Sequence, residues 1–147
     1  MSDGSSRLDP DAVREHLLGH RRGTVEATVE CAGCVAAAWP GAETTDRERV
    51  VDPLRAALSE AGLLGAYPSV LVECVAAAGG ELRAEPVAAP PYVTVTSVGP
   101  VLRATLDGGR LVVTLGVFDV EREAGDGRPR YVRGVATPEA AVRVEVR

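Results

Sequence analysis

The stretch Glu85–Tyr92, "EPVAAPPY", divides the sequence into two parts of different character. It holds three prolines within six residues, and proline ends a helix because it lacks a backbone N–H and restricts the residue before it. Apolar residues recur at helical spacing before this stretch and alternate with polar residues, as in strands, after it. We therefore interpret 9–84 as mainly helical, 85–91 as a proline-rich linker and 92–147 as mainly β, within one domain spanning 9–147.

Two helices have ends that the sequence itself indicates. Asp9 is a suitable N-cap with Pro10 at the first helical position, and this first helix is expected to end at Gly23. A later helical run begins at Pro68 and stops at Gly79-Gly80. Because it is apolar on all sides, we expect it to be buried.

Two segments between them are less simple. The sequence "TDRE" from Thr45 matches a capping box and predicts a helix that Pro53 kinks or divides. Residues 24–38 fit either one helix or a strand followed by a helix, since "TVEATVEC" alternates like a strand while apolar residues also fall on one helical face. The alanine-rich continuation and the stop at Pro40-Gly41 favour the helix.

The part after the linker predicts strands rich in Val and Thr. Asp107-Gly108-Gly109 predicts a tight hairpin between two of them. The fold class is therefore α+β, with three or four N-terminal helices packed on one face of a C-terminal four- or five-stranded antiparallel β-meander. The segments that carry this prediction are "YVTVTSV", "VLRATL", "RLVVTLGVFDVE", "RYVRGVA" and "AVRVEV".

Composition predicts a soluble globular chain. At 147 residues and 46% apolar content, it can bury a sufficient core without a disulfide or a metal. All 16 basic residues are arginine and the net charge is −5, a composition that resembles proteins of salt-adapted prokaryotes. Residues 1–8 lack the pattern of a signal peptide and are expected to form a disordered leader, and no apolar stretch reaches membrane-spanning length. We therefore expect a cytoplasmic protein.

Several function classes lack the residues that they need. The acidic net charge and the five aromatic residues make nucleic acid an unfavoured partner. The sequence contains no GxSxG, HExxH or P-loop motif, so an enzyme is the less favoured interpretation and we name no catalytic residue.

The cysteines carry the sharpest hypothesis of a site. Cys31 and Cys34 form a CxxC pair, and His16 and His20 lie four residues apart on the first predicted helix. Two cysteines and two histidines can close a tetrahedral zinc site, so these four residues are the candidate metal ligands and zinc is the candidate cofactor. The pair could alternatively act as a thiol redox centre.

A third interpretation gives the cysteines no chemical role. The sequence around Cys31 and Cys34 is rich in Val and Ala, and a similar stretch, "VECVAAAGG", surrounds Cys74. Free cysteine is among the most buried residue types and allows helices to approach closely, so all three cysteines could be packing residues. This packing interpretation is the one that we favour.

By elimination, the sequence predicts a non-catalytic protein-interaction or small assembly module that requires no cofactor. Its partner would be another protein or a second copy of the chain, since a valine-rich sheet has edges that pair readily with another strand. The alternative is a zinc- or thiol-dependent regulatory protein that uses Cys31 and Cys34.

Overall fold

A computed structural model describes residues 7–122, 128–134 and 137–147. It confirms the predicted α+β class, with four helices in the N-terminal part and antiparallel strands in the C-terminal part. Of the predicted leader, residues 1–6 lie outside the described residues, whereas Leu8 is buried in the core. The helices are α1 (Pro10–Gly19), α2 (Arg22–Ala37), α3 (Val51–Glu60), α4 (Leu63–Ala78) and the short α5 (Pro138–Ala141).

Helix α1 begins as the sequence predicts. The Asp9 carboxylate accepts hydrogen bonds from the backbone N–H groups of Asp11 (3.0 Å) and Ala12 (3.1 Å), which satisfies two of the donors that a helix start leaves unpaired. The predicted end at Gly23 is wrong, because α1 ends at Gly19 and Gly23 already belongs to α2.

Residues 24–38 are helical apart from the C-cap residue, so the helix alternative for this segment is correct. Helix α2 presents one buried stripe at intervals of three or four residues, and this stripe packs into the core. The alternation of apolar and polar residues in "TVEATVEC" therefore does not indicate a strand. The buried stripe comprises Val25, Thr28, Val29, Ala32 and Val35.

The predicted capping box at Thr45 is wrong. Asp46 is the N-cap instead, accepting from the backbone N–H of Glu48 (3.0 Å), and it starts a short 3-10 helix, Arg47–Arg49. Helix α3 follows from Val51, which places Pro53 in its first turn. The N–H groups of the first turn have no acceptor within the helix, so the N–H that proline lacks costs no hydrogen bond there. The proline therefore lies at the start of a helix and does not interrupt one.

Helix α4 begins at Leu63, five residues earlier than predicted, and contains Pro68 within it. Its predicted end is confirmed, because Gly79 adopts a left-handed conformation (φ 86°) and donates its N–H to Ala76 O. Glycine adopts this conformation without steric cost, and the next N–H, that of Gly80, returns to Val75 O. Residues 81–92, which include the proline-rich segment, then connect α4 to the first long strands without a helix.

The strands form two antiparallel sheets. The larger sheet has the order β2-β3-β4-β7 and the smaller one the order β1-β6-β5. The predicted hairpin at Asp107-Gly108 joins β3 to β4, with Leu106 paired to Gly109. The bounds are β1 (Glu43–Thr44), β2 (Val93–Val95), β3 (Pro100–Leu106), β4 (Gly109–Leu115), β5 (Phe118–Glu121), β6 (Arg130–Arg133) and β7 (Val142–Val146).

The segment predicted as one strand over 110–121 divides between the two sheets at Gly116-Val117. At this seam, the N–H groups of Val117 (2.8 Å) and Phe118 (3.0 Å) both donate to Val98 O, so the chain leaves the larger sheet. Gly99 makes the approach possible: its φ is +146°, and a Cβ there would lie 1.9 Å from Leu115 O. Only glycine fits this backbone contact.

The helices cover one face of the larger sheet. Helix α1 packs on β7 and helix α4 on β3 and β2, while α2 contacts β6 of the smaller sheet. One hydrogen bond lies inside this core, between the hydroxyls of Thr28 and Tyr67 (2.7 Å), so both buried hydroxyls are partnered. The helix-facing side chains of the two central strands are Leu102, Ala104, Leu106, Leu111, Val113 and Leu115.

No helix of the described part is by itself long and apolar enough to cross a membrane. The segments 47–60 and 63–78 are long and apolar enough only when taken together, and the chain bends by 83° between them.

Candidate functional site

The four predicted metal ligands lie on two helices and do not converge. His16 lies on α1 and His20 is its C-cap residue, and their rings are tilted by 30° with the centroids 5.3 Å apart. The Cys31 sulfur contacts the Ala57 carbonyl oxygen of α3 at 3.8 Å, and Cys34 is exposed. Within residues 7–122, 128–134 and 137–147, no group of three or more His, Cys, Asp or Glu side chains is arranged to hold a metal ion. The structure therefore does not assemble the zinc site that the spacing predicts.

His16 has a different partner, the Glu73 carboxylate of α4. Its Nε2 lies 2.8 Å from Glu73 Oε1, and the Arg21 guanidinium also donates to both oxygens of Glu73. The hydrogen bonds from Arg21 are the main reason that the pKa of Glu73 falls to about 2, and the bond to His16 adds to the effect. This cluster ties the α1–α2 junction to α4, and all three side chains have their partners within it.

The cysteines differ in accessibility. Cys74 is completely buried, and burial raises the pKa of its thiol to about 12. Burial also raises the pKa of Cys31, which is partly exposed. Cys74 therefore packs as a small apolar side chain, as the packing interpretation proposes for it.

Cys34 opens into a groove between α2 and α3 with a volume of about 400 Å³. The walls are mainly apolar and include Trp39, which donates its indole N–H to Arg49 O (3.0 Å). Glu48 and Arg49 supply the charged groups of the lining, next to Pro53. The groove thus combines one accessible thiol with apolar walls.

The most unusual surface is the face of the larger sheet that points away from the helices. Residues paired in register share a face of an antiparallel sheet, so Arg103 and Val112 lie together with Glu145, and Val101 lies with Thr114 and Arg143. We call this surface the arginine face. Its members are Thr94, Val101, Arg103, Thr105, Arg110, Val112, Thr114, Arg143, Glu145 and Arg147.

The arginine face has an apolar centre and a cationic surround. Val112 is 3% exposed and Val101 is 9% exposed although helices α1 and α4 pack on the opposite side of the sheet. Four arginines and one carboxylate, Glu145, surround these two valines on the face. A chain with a net charge of −5 therefore concentrates positive charge on this sheet.

The smaller sheet has the opposite charge on its outward face. There Asp119 and Glu121 of β5 lie near Glu43 of β1, and Arg130 is the cation among them. Arg130 pairs with Glu43 (2.6 Å), which leaves the two carboxylates of β5. The outward faces of the two sheets thus differ in the sign of their charge.

A cavity of about 260 Å³ lies at the margin of the arginine face. Arg83, Tyr92, Arg103 and Thr105 line it together with apolar side chains, and none of its lining residues carries a carboxylate. Among the described residues, no protein atom accepts a hydrogen bond from the buried Nε atom of Arg103. This cavity suits a carboxylate or phosphate group, because the guanidinium of Arg103 can donate to it beside that of Arg83, which also pairs with Asp107.

Sequence reasoning missed the arginine face because it depends on strand pairing. The signal was present: Arg103 and Thr105 alternate with apolar residues on β3, as Arg143 and Glu145 do on β7. Only the register between strands shows that these outward positions adjoin.

Residues 11–147 match the family described as "Domain of unknown function (DUF7988)". No curated protein and no solved structure matches the chain.

Proposed function

The chain belongs to the DUF7988 family of domains of unknown function, and we propose that it is a non-catalytic protein-interaction module that binds an acidic protein segment on its arginine face. The observation that carries this proposal is the segregation of charge. Four arginines lie around two buried valines on an open sheet face, in a chain whose net charge is −5.

The composition of the face supports binding to a protein. Interfaces between proteins are enriched in arginine, and four arginines share this face with Val101 and Val112, which are already buried in the single chain. Arginine also binds carboxylates with two parallel hydrogen bonds, whereas lysine offers a single point charge.

The cavity beside Arg103 supplies an anchor for one carboxylate of the partner. A glutamate or aspartate side chain there would give the buried Nε of Arg103 the acceptor that it lacks, with Arg83 and Tyr92 nearby. A charge-assisted hydrogen bond at this position favours the bound state, and a few such well-packed contacts usually dominate binding.

An acidic protein segment fits better than nucleic acid. Nucleic acid attracts proteins through long-range charge, and an overall charge of −5 opposes that attraction. Single-stranded nucleic acid also needs aromatic side chains on which bases stack, and Tyr92 is the aromatic residue in the described cavity lining.

The test measures binding of a fluorescein-labelled poly-glutamate peptide by fluorescence anisotropy at low and physiological salt. Arg103→Gln should weaken binding about tenfold, since a buried charge-assisted contact is worth about 1.5–3 kcal/mol before compensation. Arg55→Gln removes the same charge from an exposed position on α3 and is the matched control, with an expected change below about twofold.

Two results would overturn the proposal. Equal losses in Arg103→Gln and Arg55→Gln would mean that the peptide responds only to overall charge. Tighter binding of a single-stranded oligonucleotide than of the peptide, with the same dependence on Arg103, would assign the face to nucleic acid.

A further inference from the structure

Strand β7 is the longest edge strand in the described part of the chain. It spans five residues at one edge of the larger sheet, whereas β2 at the other edge spans three. Among the described residues, no strand pairs with β7 on the side away from β4. An unpaired edge of this kind is a template for another strand.

The hydrogen bonds to β4 define which groups of β7 face outward. Arg147 exchanges both backbone hydrogen bonds with Arg110 (2.8 and 2.9 Å), and Ala141 O accepts from Gly116. Along an antiparallel strand, successive residues direct their backbone N–H and C=O groups to opposite sides of the strand. Arg143 and Glu145 therefore also direct these groups at β4, and Val142, Val144 and Val146 direct theirs at the open edge.

One of these outward residues already has partners. The Val142 N–H donates to Pro138 O, and its carbonyl oxygen accepts from Arg14 Nη1 (2.6 Å). A carbonyl oxygen has a second lone pair, so the Val142 oxygen can accept one further bond. The N–H and C=O groups of Val144 and Val146 complete the exposed row.

Edge β2 is the shorter of the two edges. Its Val93 N–H donates to Ala89 O (3.1 Å), as the Val142 N–H of β7 donates to Pro138 O, and Pro90-Pro91 precede β2 with only Tyr92 between. Proline next to an edge and short edge length both discourage pairing. The contrast indicates that β7 is the edge available for association.

We infer that β7 pairs with β7 of a second copy of this chain, antiparallel and centred on Val144. The sequence of the strand, Val-Arg-Val-Glu-Val, is self-complementary in this register. Arg143 then lies opposite Glu145 of the second copy, and Glu145 lies opposite Arg143 of the second copy. In the single chain Glu145 Oε1 lies 3.2 Å from Arg147 Nη2, so each Glu145 lies between Arg147 of its own chain and Arg143 of the second copy. Opposite charges placed directly across two strands are favourable.

The backbone supports the same register. The two Val144 residues exchange a pair of hydrogen bonds, and each Val146 N–H reaches the Val142 oxygen of the second copy through its second lone pair. Centring the pairing on Glu145 instead would place that carboxylate opposite its own counterpart and Arg143 opposite Arg147, which like charges disfavour. Charge therefore selects one register.

This association goes beyond the proposed function, because it concerns a different partner and uses the backbone edge of β7, although Arg143 and Glu145 also belong to the arginine face. It would extend the larger sheet to eight strands and bring two arginine faces side by side on one continuous surface. A two-fold pairing of this kind closes, so it produces a dimer and no filament.

The test is sedimentation velocity over a concentration series. Wild-type protein should dimerise, and Arg143→Glu or Glu145→Arg should each raise the dimer dissociation constant about thirtyfold, since each change replaces two attractions by two repulsions. The double variant R143E/E145R restores opposite charges across the pair and should recover the dimer. Arg110→Glu makes the same charge change on the neighbouring strand β4 and is the matched control.

Val144→Pro gives a second, independent arm. It removes an N–H that faces the open edge and no hydrogen bond to β4, so the variant should remain folded by circular dichroism and become monomeric. A wild-type protein that is monomeric up to high concentration, or a dimer that all these variants leave unchanged, would overturn the inference. Peptide binding to a monomer would still be measurable, so the two proposals fail separately.

Discussion

The tripeptide Val-Glu-Cys occurs at Val29–Cys31 in α2 and again at Val72–Cys74 in α4, and its two copies lie in different environments. In α2 the valine is buried (6% exposed) and the cysteine is partly exposed. In α4 the valine is 43% exposed and the cysteine is fully buried. The same residues thus present different sides to the core, because the apolar residues that flank each copy define which side of its helix is buried.

The glutamates of the two copies differ in the same way. Glu73 lies in the ion cluster with His16 and Arg21, whereas Glu30 is exposed on α2. The tripeptide is the same in both cases, so the difference arises from the residues that flank each copy and from what packs against each helix. Paired substitutions in the two copies can therefore test the structure with built-in controls.

The largest expected difference is in thiol reactivity. Cys34, the exposed cysteine of α2, should react with a maleimide or with an aromatic disulfide at least about a thousandfold faster than Cys74, which must await opening of the core. The pKa of about 12 at Cys74 also keeps its thiolate scarce. Mass spectrometry after timed labelling measures both rates. Similar rates in the folded protein would contradict the burial of Cys74.

The next effect is on stability at the two Val-Glu-Cys cysteines. Cys74→Ser buries a hydroxyl in an apolar site and should lower the free energy of unfolding by about 2 kcal/mol. Cys31→Ser is the control and should change it by less than about 1 kcal/mol, because that side chain is partly exposed. Urea unfolding followed by circular dichroism gives both values. The reverse order would mean that the core side of one helix is misassigned.

The valines should show the opposite order. Val29→Ala removes two buried methyl groups and should cost about 1.5 kcal/mol. Val72→Ala removes the same groups from an exposed position and should be neutral or stabilising by a few tenths of a kcal/mol, since alanine favours helix. The same unfolding experiment measures the pair, and a larger loss at Val72 would refute the assigned rotation of α4.

The smallest effect concerns acid. The folded-state pKa of Glu73 is about 2, below its value in an unfolded chain, so its contribution is complete above about pH 4.5 and is lost as the pH falls towards 2. The destabilisation by Glu73→Gln should therefore be present near neutral pH and shrink over this window. Because the carboxylate is partly solvent-exposed, the effect should remain below about 1 kcal/mol.

Glu30→Gln is the control for the acid experiment, since Glu30 is exposed on α2. Its effect on the free energy of unfolding should stay near zero across the same pH range. A destabilisation by Glu73→Gln that grows as the pH falls would contradict the ion cluster.

Much of the fold is predictable from the sequence because several elements carry strong local signals. Asp9-Pro10 begins a helix, Gly79 ends one and Asp107-Gly108 turns a hairpin, each through conformational preferences of those residues alone. The proline-rich segment likewise separates the helical part from the main strands.

The errors arise where tertiary contacts outweigh local preference. Thr45 and Asp46 are both good N-caps, and the sequence does not show which one the fold uses. Residues 110–121 read as one strand because the division at Gly116-Val117 depends on hydrogen bonds to Ala141 and Val98, which are distant in sequence.

The candidate sites illustrate the same limit. His16 and His20 have suitable spacing for a metal, yet Glu73 of α4 takes His16 as its partner. Sequence spacing predicts which residues share a helix face, but it does not predict which side chains of other elements pack against that face. The cavity beside Arg103 was equally unpredictable, because it joins the segment around Arg83 to strand β3 and to the residues that precede β2.

The seam at Gly116-Val117, where the chain meets Val98 and Gly99, has a consequence for how the protein unfolds. The N–H groups of Val117 and Phe118 donate to Val98 O, and the Gly134 N–H donates to Val117 O (2.8 Å). These hydrogen bonds connect the segments that lead into the two sheets, so the sheets cannot separate unless the bonds break. Hydrogen exchange should therefore show these three amides among the slowest in the chain, with free energies of opening close to that of global unfolding. The two sheets would then unfold as one cooperative unit.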